Sequence, residues 1–245
     1  MNIITEIGMN HLGSFNQANY YVDTLIKANV DAITFQVRES EFYQKSSKHH
    51  LLLTDNDYIN LCKKVKINNK KFGIAIADIN KIDFFESIET DFYKIIRNDL
   101  TNQELVKKLI QTGKKLIVST GVSSEDEIKE FLNKFGNENI ILNHTQLSYD
   151  ISDCNLSAIE TLRMQYGYPI SYGSHCANKN VLYMALCYNP TDILFYIKDN
   201  NLDMIFPDDK HAINLNDVKT VTYNLKSLKN AIGTGIKEKM EIKIK

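Results

Sequence analysis

Much of what marks a secreted, membrane-spanning or nucleic-acid-binding chain is missing here. The 245 residues hold four cysteines, Cys62, Cys154, Cys176 and Cys187, and none form a Cys-x-x-Cys pair. They read as reduced thiols of a cytoplasmic protein. No apolar run approaches the ~20 residues that cross a bilayer. The start, Met1-Asn2-Ile3-Ile4-Thr5-Glu6, lacks the charged-then-apolar pattern of a signal peptide. Lys plus Arg number 29 against 30 Asp plus Glu, a formal net charge of −1. No global positive field therefore favours nucleic acid or an anionic membrane. There are only three prolines, no stretch that reads as a linker, and no Gly-rich nucleotide loop.

What is present is an alternation. Short β-branched runs are each followed by an amphipathic stretch, and 43% of the residues are hydrophobic, enough for a sizeable core. The runs are Ile3 to Ile7, Ala32 to Val37, Phe72 to Ala77, Phe92 to Ile96, Lys115 to Ser119, Ile140 to Asn143, Pro169 to Gly173 and Ile193 to Ile197. Between them, helical spacing places Tyr21, Val22, Leu25 and Ile26 on one face. After the fifth run, Ser124 and Glu127 form a Ser-x-x-Glu capping box. A stripe of Ile128, Phe131, Leu132 and Phe135 follows, closed by Gly136. Eight βα units in this length predict a (β/α)8 TIM barrel, one domain over residues 1–245. An open doubly wound sheet is the alternative.

In such a barrel, function collects where the strands end. Those positions carry Glu6, Asn10 and His11; Gln36 and Arg38; Lys94, Arg97 and Asp99; Ser119 and Thr120; His144 and Thr145; Ser174 and His175; Lys198 and Asp199; then Asp208, Asp209, Lys210 and His211. Polar groups at so many consecutive strand ends suit a small, polar, anionic ligand.

Several of these stretches resemble the sialic acid synthase family. They are Glu6-Ile7-Gly8-Met9-Asn10-His11-Leu12-Gly13, Phe35-Gln36, Tyr93-Lys94-Ile95, Ser119-Thr120-Gly121, Ser174-His175, Pro207-Asp208 and Ala231-Ile232-Gly233-Thr234-Gly235. Their order and spacing follow the family's barrel across nearly the whole chain. The resemblance implies condensation of phosphoenolpyruvate with the open-chain aldehyde of an N-acylated hexosamine such as N-acetylmannosamine. The product would be a sialic-type nonulosonic acid for surface carbohydrate. It implies that Glu6, Lys94 and His175 are catalytic. Gln36, Arg97, Asp99, Ser119, Thr120, Thr145 and Asp208 are the candidate substrate contacts. His175 is also implied as a ligand of a divalent metal, manganese or magnesium, that polarises the aldehyde.

The match departs from the family at named places. A lysine expected two residues before Gln36 is Thr34, and the second metal histidine falls on Ile197. Arg97 or Lys198 could replace the lost cation, since a guanidinium grips phosphate with two donors. Both also read as solvated rim charges. His11, His144, Asp199 and His211 are candidate extra metal ligands, and each also reads as structural. Glu6 on an inward-facing strand predicts a neighbouring cation under either reading. The resemblance stops at the barrel, so the family's C-terminal antifreeze-like domain is expected to be absent. A homodimer, or a partner chain supplying that domain, stays open. So do a metal-independent sugar-acid aldolase or lyase, with Lys94 or Lys198 as Schiff base, and a non-catalytic sugar-acid-binding homologue.

Overall fold

The computed structural model describes residues 1–96, 100–199, 204–237 and 239. Its frame is eight parallel strands: β1 (Asn2–Gly8), β2 (Ala32–Val37), β3 (Lys71–Ile76), β4 (Phe92–Ile95), β5 (Lys115–Ser119), β6 (Ile140–Thr145), β7 (Ile170–Ser174) and β8 (Asp192–Lys198). Each pairs with the next, and β1 also pairs with β8, setting Ile4 opposite Leu194 and Glu6 opposite Tyr196. That last pairing closes the sheet, so the fold is the expected (β/α)8 barrel and not an open sheet.

The crossovers carry α1 (Phe15–Lys27), α2 (Ser40–Gln44), α3 (Asp55–Ile67), α4 (Ile82–Ser87), α5 (Gln103–Gln111), α6 (Glu125–Phe135), α7 (Ala158–Tyr166) and α8 (Asn180–Ala185). After β8 come a two-residue strand β9 (Ile213–Asn214) and α9 (Val218–Ile232). The α6 capping box forms as the sequence predicts: Glu127 N–H donates to the Ser124 side chain, and the Glu127 carboxylate accepts from Ser124 N–H. A second box, Thr54 with Asp57, starts α3. Gly136 ends α6, but not in a left-handed turn, since its φ is −59°. Space is the reason for glycine there: a Cβ would lie 2.3 Å from Tyr168 Oη and 2.5 Å from Leu132 O.

Because strand side chains alternate, each strand serves two cores. Ile3, Ile7, Ile33, Phe35, Ile193 and Ile197 join the large layer between sheet and helices. Inside the barrel, Ile4, Ala32, Phe92, Ile117, Ile141 and Leu194 form a separate apolar plug. Gly73 makes room for it, since a Cβ there would sit 2.3 Å from the Phe92 ring. One step up each strand the same interior turns polar: Glu6, Thr34, Lys94, Ser119 and Asn143 are all buried. Among the described residues no helix is long and apolar enough to cross a membrane.

Candidate active site

At the C-terminal ends of the strands, above the apolar plug, lies a cavity of about 330 Å³. Gln36 reaches it from β2, Lys94 from β4, Ser119 from β5, His175 from the residue after β7, and Tyr196 from β8. Pro207, Asp208 and His211 cover it from the segment leading to β9. Of the residues expected at the site, Gln36, Lys94, Ser119, His175 and Asp208 therefore share one cavity.

Glu6 lies beneath them. Its Oε1 is 2.5 Å from Lys94 Nζ, and both side chains are at most 5% exposed. The cation demanded by a carboxylate on an inward strand is thus Lys94. Removing two charges from water costs several kcal/mol per ion, and only a close pairing offsets it. The same ammonium lies 5.8 Å from the Tyr196 ring centre.

Asp208 is the most perturbed carboxyl in the cavity. Burial, then the nearby Glu6 charge, push its pKa up to about 7 against an opposing pull from Lys94. Its backbone N–H donates to Asn10 Oδ1 at 3.2 Å, while Asn10 Nδ2 donates to Ile197 O at 2.8 Å. Gly8 permits the approach from the other side, since a Cβ there would lie 3.2 Å from Asp208 Oδ2 and 2.9 Å from the Tyr196 ring. Asn10 is accordingly a buried bracket that positions Asp208. The Tyr196 hydroxyl is held protonated by burial and by the Glu6 and Asp208 charges.

His175 is oriented through Nδ1, which is 2.9 Å from Thr145 Oγ1. Thr145 therefore steers the imidazole and does not line the cavity. Thr120 does not line it either: its hydroxyl donates to Asn143 O at 3.1 Å. Arg97 and Asp99 lie outside the described residues. Lys198 is tied to Asp209, with Nζ 2.7 Å from both its backbone and carboxylate oxygens. His11 accepts from Gly13 N–H, and His144 Nε2 is 3.0 Å from Cys154 O, so neither reaches the cavity. Sequence reading assigns no role to the lining residues Leu147, Tyr149 and Tyr196, and names Arg38 only as a strand-end residue. Only the alternation along β8, Tyr196 inward and Ile197 outward, could have singled out Tyr196.

A divalent ion would need a second donor beside His175. Ile197 has no donor atom and faces the outer core. The imidazole that does come close is His211, with ring centres 4.6 Å apart. Burial lowers the His211 pKa to about 4, and neither ring nitrogen makes a hydrogen bond among the described residues. The Asp208 Oδ1 is 3.8 Å from His211 Nε2. Yet among the described residues no three His, Cys, Asp or Glu side chains converge as a metal site. The described residues do not by themselves make up the ligand set of a protein-held ion.

Fold and cavity define a (β/α)8 barrel with a buried, charged site at the C-terminal face. The chain belongs to the NeuB family, whose model matches residues 17–237. An uncharacterized protein of Methanocaldococcus jannaschii is 30% identical over 248 residues, 96% of this chain and 73% of that protein. An N,N'-diacetyllegionaminic acid synthase of Campylobacter jejuni is 26% identical, over 96% of this chain and 78% of its own length. Among solved structures, the N-acetylneuraminic acid (sialic acid) synthetase of Leptospira borgpetersenii in complex with citrate superposes with a TM-score of 0.88. It is 25% identical and covers 97% of this chain and 87% of its own.

Proposed function

We propose that the chain is a phosphoenolpyruvate-dependent synthase that joins phosphoenolpyruvate to the aldehyde of an N-acylated hexosamine, making a nonulosonic acid. The convergence of Gln36, Lys94, Ser119, His175 and Asp208 on one cavity, with Glu6 paired beneath, carries the proposal. Its kinship with enzymes named as sialic- and legionaminic-acid synthases supports it.

The reaction forms a carbon–carbon bond between the phosphoenolpyruvate methylene and the aldehyde carbon, whose oxygen takes up a proton. Water adds to the cationic carbon left behind, and its phosphate departs to leave a ketone. Lys94 and Ser119 hold the anionic groups from β4 and β5. Burial and the Glu6 charge raise the Asp208 pKa to about 7, and its protonated form donates a hydrogen bond to a sugar oxygen. Tyr196, kept neutral by burial, is a second donor on the same wall. Glu6, buried beneath the cavity, balances Lys94. Pro207, Asp208 and His211, half-buried to exposed over the cavity mouth, narrow the access of bulk water to the reacting carbon.

The deciding experiment mixes the protein with phosphoenolpyruvate and N-acetylmannosamine, with and without manganese, and follows released phosphate. One phosphate per sugar acid formed is expected, with release abolished in Lys94→Ala. Pyruvate trapped on a lysine by borohydride, with no phosphate release from any N-acylated hexosamine, would instead identify an aldolase and overturn the proposal.

A further inference from the structure

Phosphoenolpyruvate carries two anionic groups, and the charges around the cavity do not yet answer both. Lys94 is matched by Glu6 at 2.5 Å. His211 is packed against His175 and Tyr196, with ring centres 4.6 and 5.1 Å away. Asp208 brings a carboxyl to the wall, not a cation. Thr34, buried on β2 below Gln36, has only a hydroxyl to offer. Lys198 stays on Asp209 and lines a neighbouring hollow instead. Among the described residues, the remaining cation on the cavity wall is Arg38, one residue beyond the end of β2.

Arg38 is held as a binding arginine should be. Its Nε and Nη2 donate to Glu39 Oε2 and Oε1 at 2.8 and 3.2 Å. Its guanidinium carbon lies 4.7 Å from the centre of the Phe42 ring, in cation–π range. Its own backbone N–H donates to the Tyr43 hydroxyl at 3.1 Å, pinning the turn that presents it. Glu39 occupies one edge of the planar fork, which leaves the Nη1 donors and the second Nη2 proton for a ligand. With five N–H donors in all, the group can serve Glu39 and an anion together.

Resting on the phosphoenolpyruvate proposal above, we infer that Arg38 is the anion-binding cation of β2, taking up from the strand's end the negative charge that Thr34 cannot. The guanidinium would meet the substrate from the rim while Lys94 meets it from below, so the anion lies between β2 and β4. The pairing with Glu39 and Phe42 sets the orientation before substrate arrives, which limits the entropy lost on binding. Arg38 would act in binding rather than in bond making, so its loss should appear in KM for phosphoenolpyruvate and leave kcat at saturation within a few-fold.

The test measures binding of phosphoenolpyruvate and of inorganic phosphate by calorimetry to wild type, Arg38→Ala, Arg38→Lys and Glu39→Gln, with circular dichroism to verify folding. Wild type should bind phosphoenolpyruvate, Arg38→Ala at least 10-fold more weakly, and Arg38→Lys in between because a point charge lacks the fork. Glu39→Gln, which loses one of the two oxygens that orient the guanidinium, should bind more weakly than wild type but more tightly than Arg38→Ala. Equal affinities in wild type, Arg38→Ala and Arg38→Lys would overturn the inference while leaving the synthase proposal intact. Wild type that binds phosphate through Arg38 but not phosphoenolpyruvate would keep the anion site and sink the synthase proposal.

Discussion

At the scale of single residues, the cavity is governed by charges that cannot leave it. Glu6 and Lys94 lie 88 positions apart in the chain and are buried against each other. Removing either partner alone strands a charge in the interior, at a cost of roughly 3–5 kcal/mol. Glu6→Gln and Lys94→Met should each lower stability by about that much, and the double variant by much less than the sum. Urea denaturation of the four proteins checks this, and additive losses would show that the pair is not coupled.

Asp208 bears a cost of another kind. Its folded pKa of about 7 lies above its unfolded value of 3.8, so between those limits the native protein holds a proton that the unfolded chain gives up. Stability contributed at this site is complete below pH 4 and falls by ~1.4 kcal/mol per pH unit as pH rises toward 7. His211 works in the opposite sense, losing stability as pH falls from 6.5 toward 4. Asp208→Asn removes the first contribution and leaves the second. Its gain in melting temperature over wild type should therefore grow from pH 4.5 to pH 8, and a gain that stays constant with pH would contradict the assignment.

At the scale of elements, α6 was the most legible piece of the chain. Ser124, Glu127 and the stripe from Ile128 to Phe135 each point to the same helix, and Ser124 does cap it. Ser124→Ala should cost about 1 kcal/mol, readable as a lower midpoint in thermal denaturation. Gly136 was legible as a terminus but not in its cause, because the Tyr168 hydroxyl that excludes a Cβ comes from 32 residues further on. The elements that escaped sequence reading are those without local reasons to exist. Helix α2 is five residues with no side-chain cap, and β9 is two residues that are strand only because Ile197 and Lys198 offer an edge.

At the scale of the whole molecule, the barrel was legible because short β-branched runs and amphipathic stretches alternate eight times. The candidate site was half legible. Strand ends name the polar residues, and five of the expected contacts do meet in one cavity. What spacing does not carry is which polar groups are already engaged. Thr120 looks available until Asn143 O is found beside it, as does Lys198 until Asp209 is. Conversely, nothing in the sequence around His211 announces that it is packed against His175, Tyr149 and Tyr196. These are contacts across the barrel mouth, between loops that share no local pattern.

The bracket made by Asn10 has a bearing on how the protein comes into being. One amide side chain grips both the end of β8 and the backbone of Asp208, nearly two hundred residues downstream. A ribosome therefore delivers the first half of the site long before the second. Until β8 emerges, the Asn10 side chain lacks its Ile197 partner, β1 has one open edge, and the ring of strands cannot shut. Contacts this distant in sequence slow folding, and an exposed parallel strand invites pairing with the wrong neighbour. The nascent chain thus spends most of its synthesis as an open sheet, and its demand for chaperone protection should be greatest just before its last strand appears.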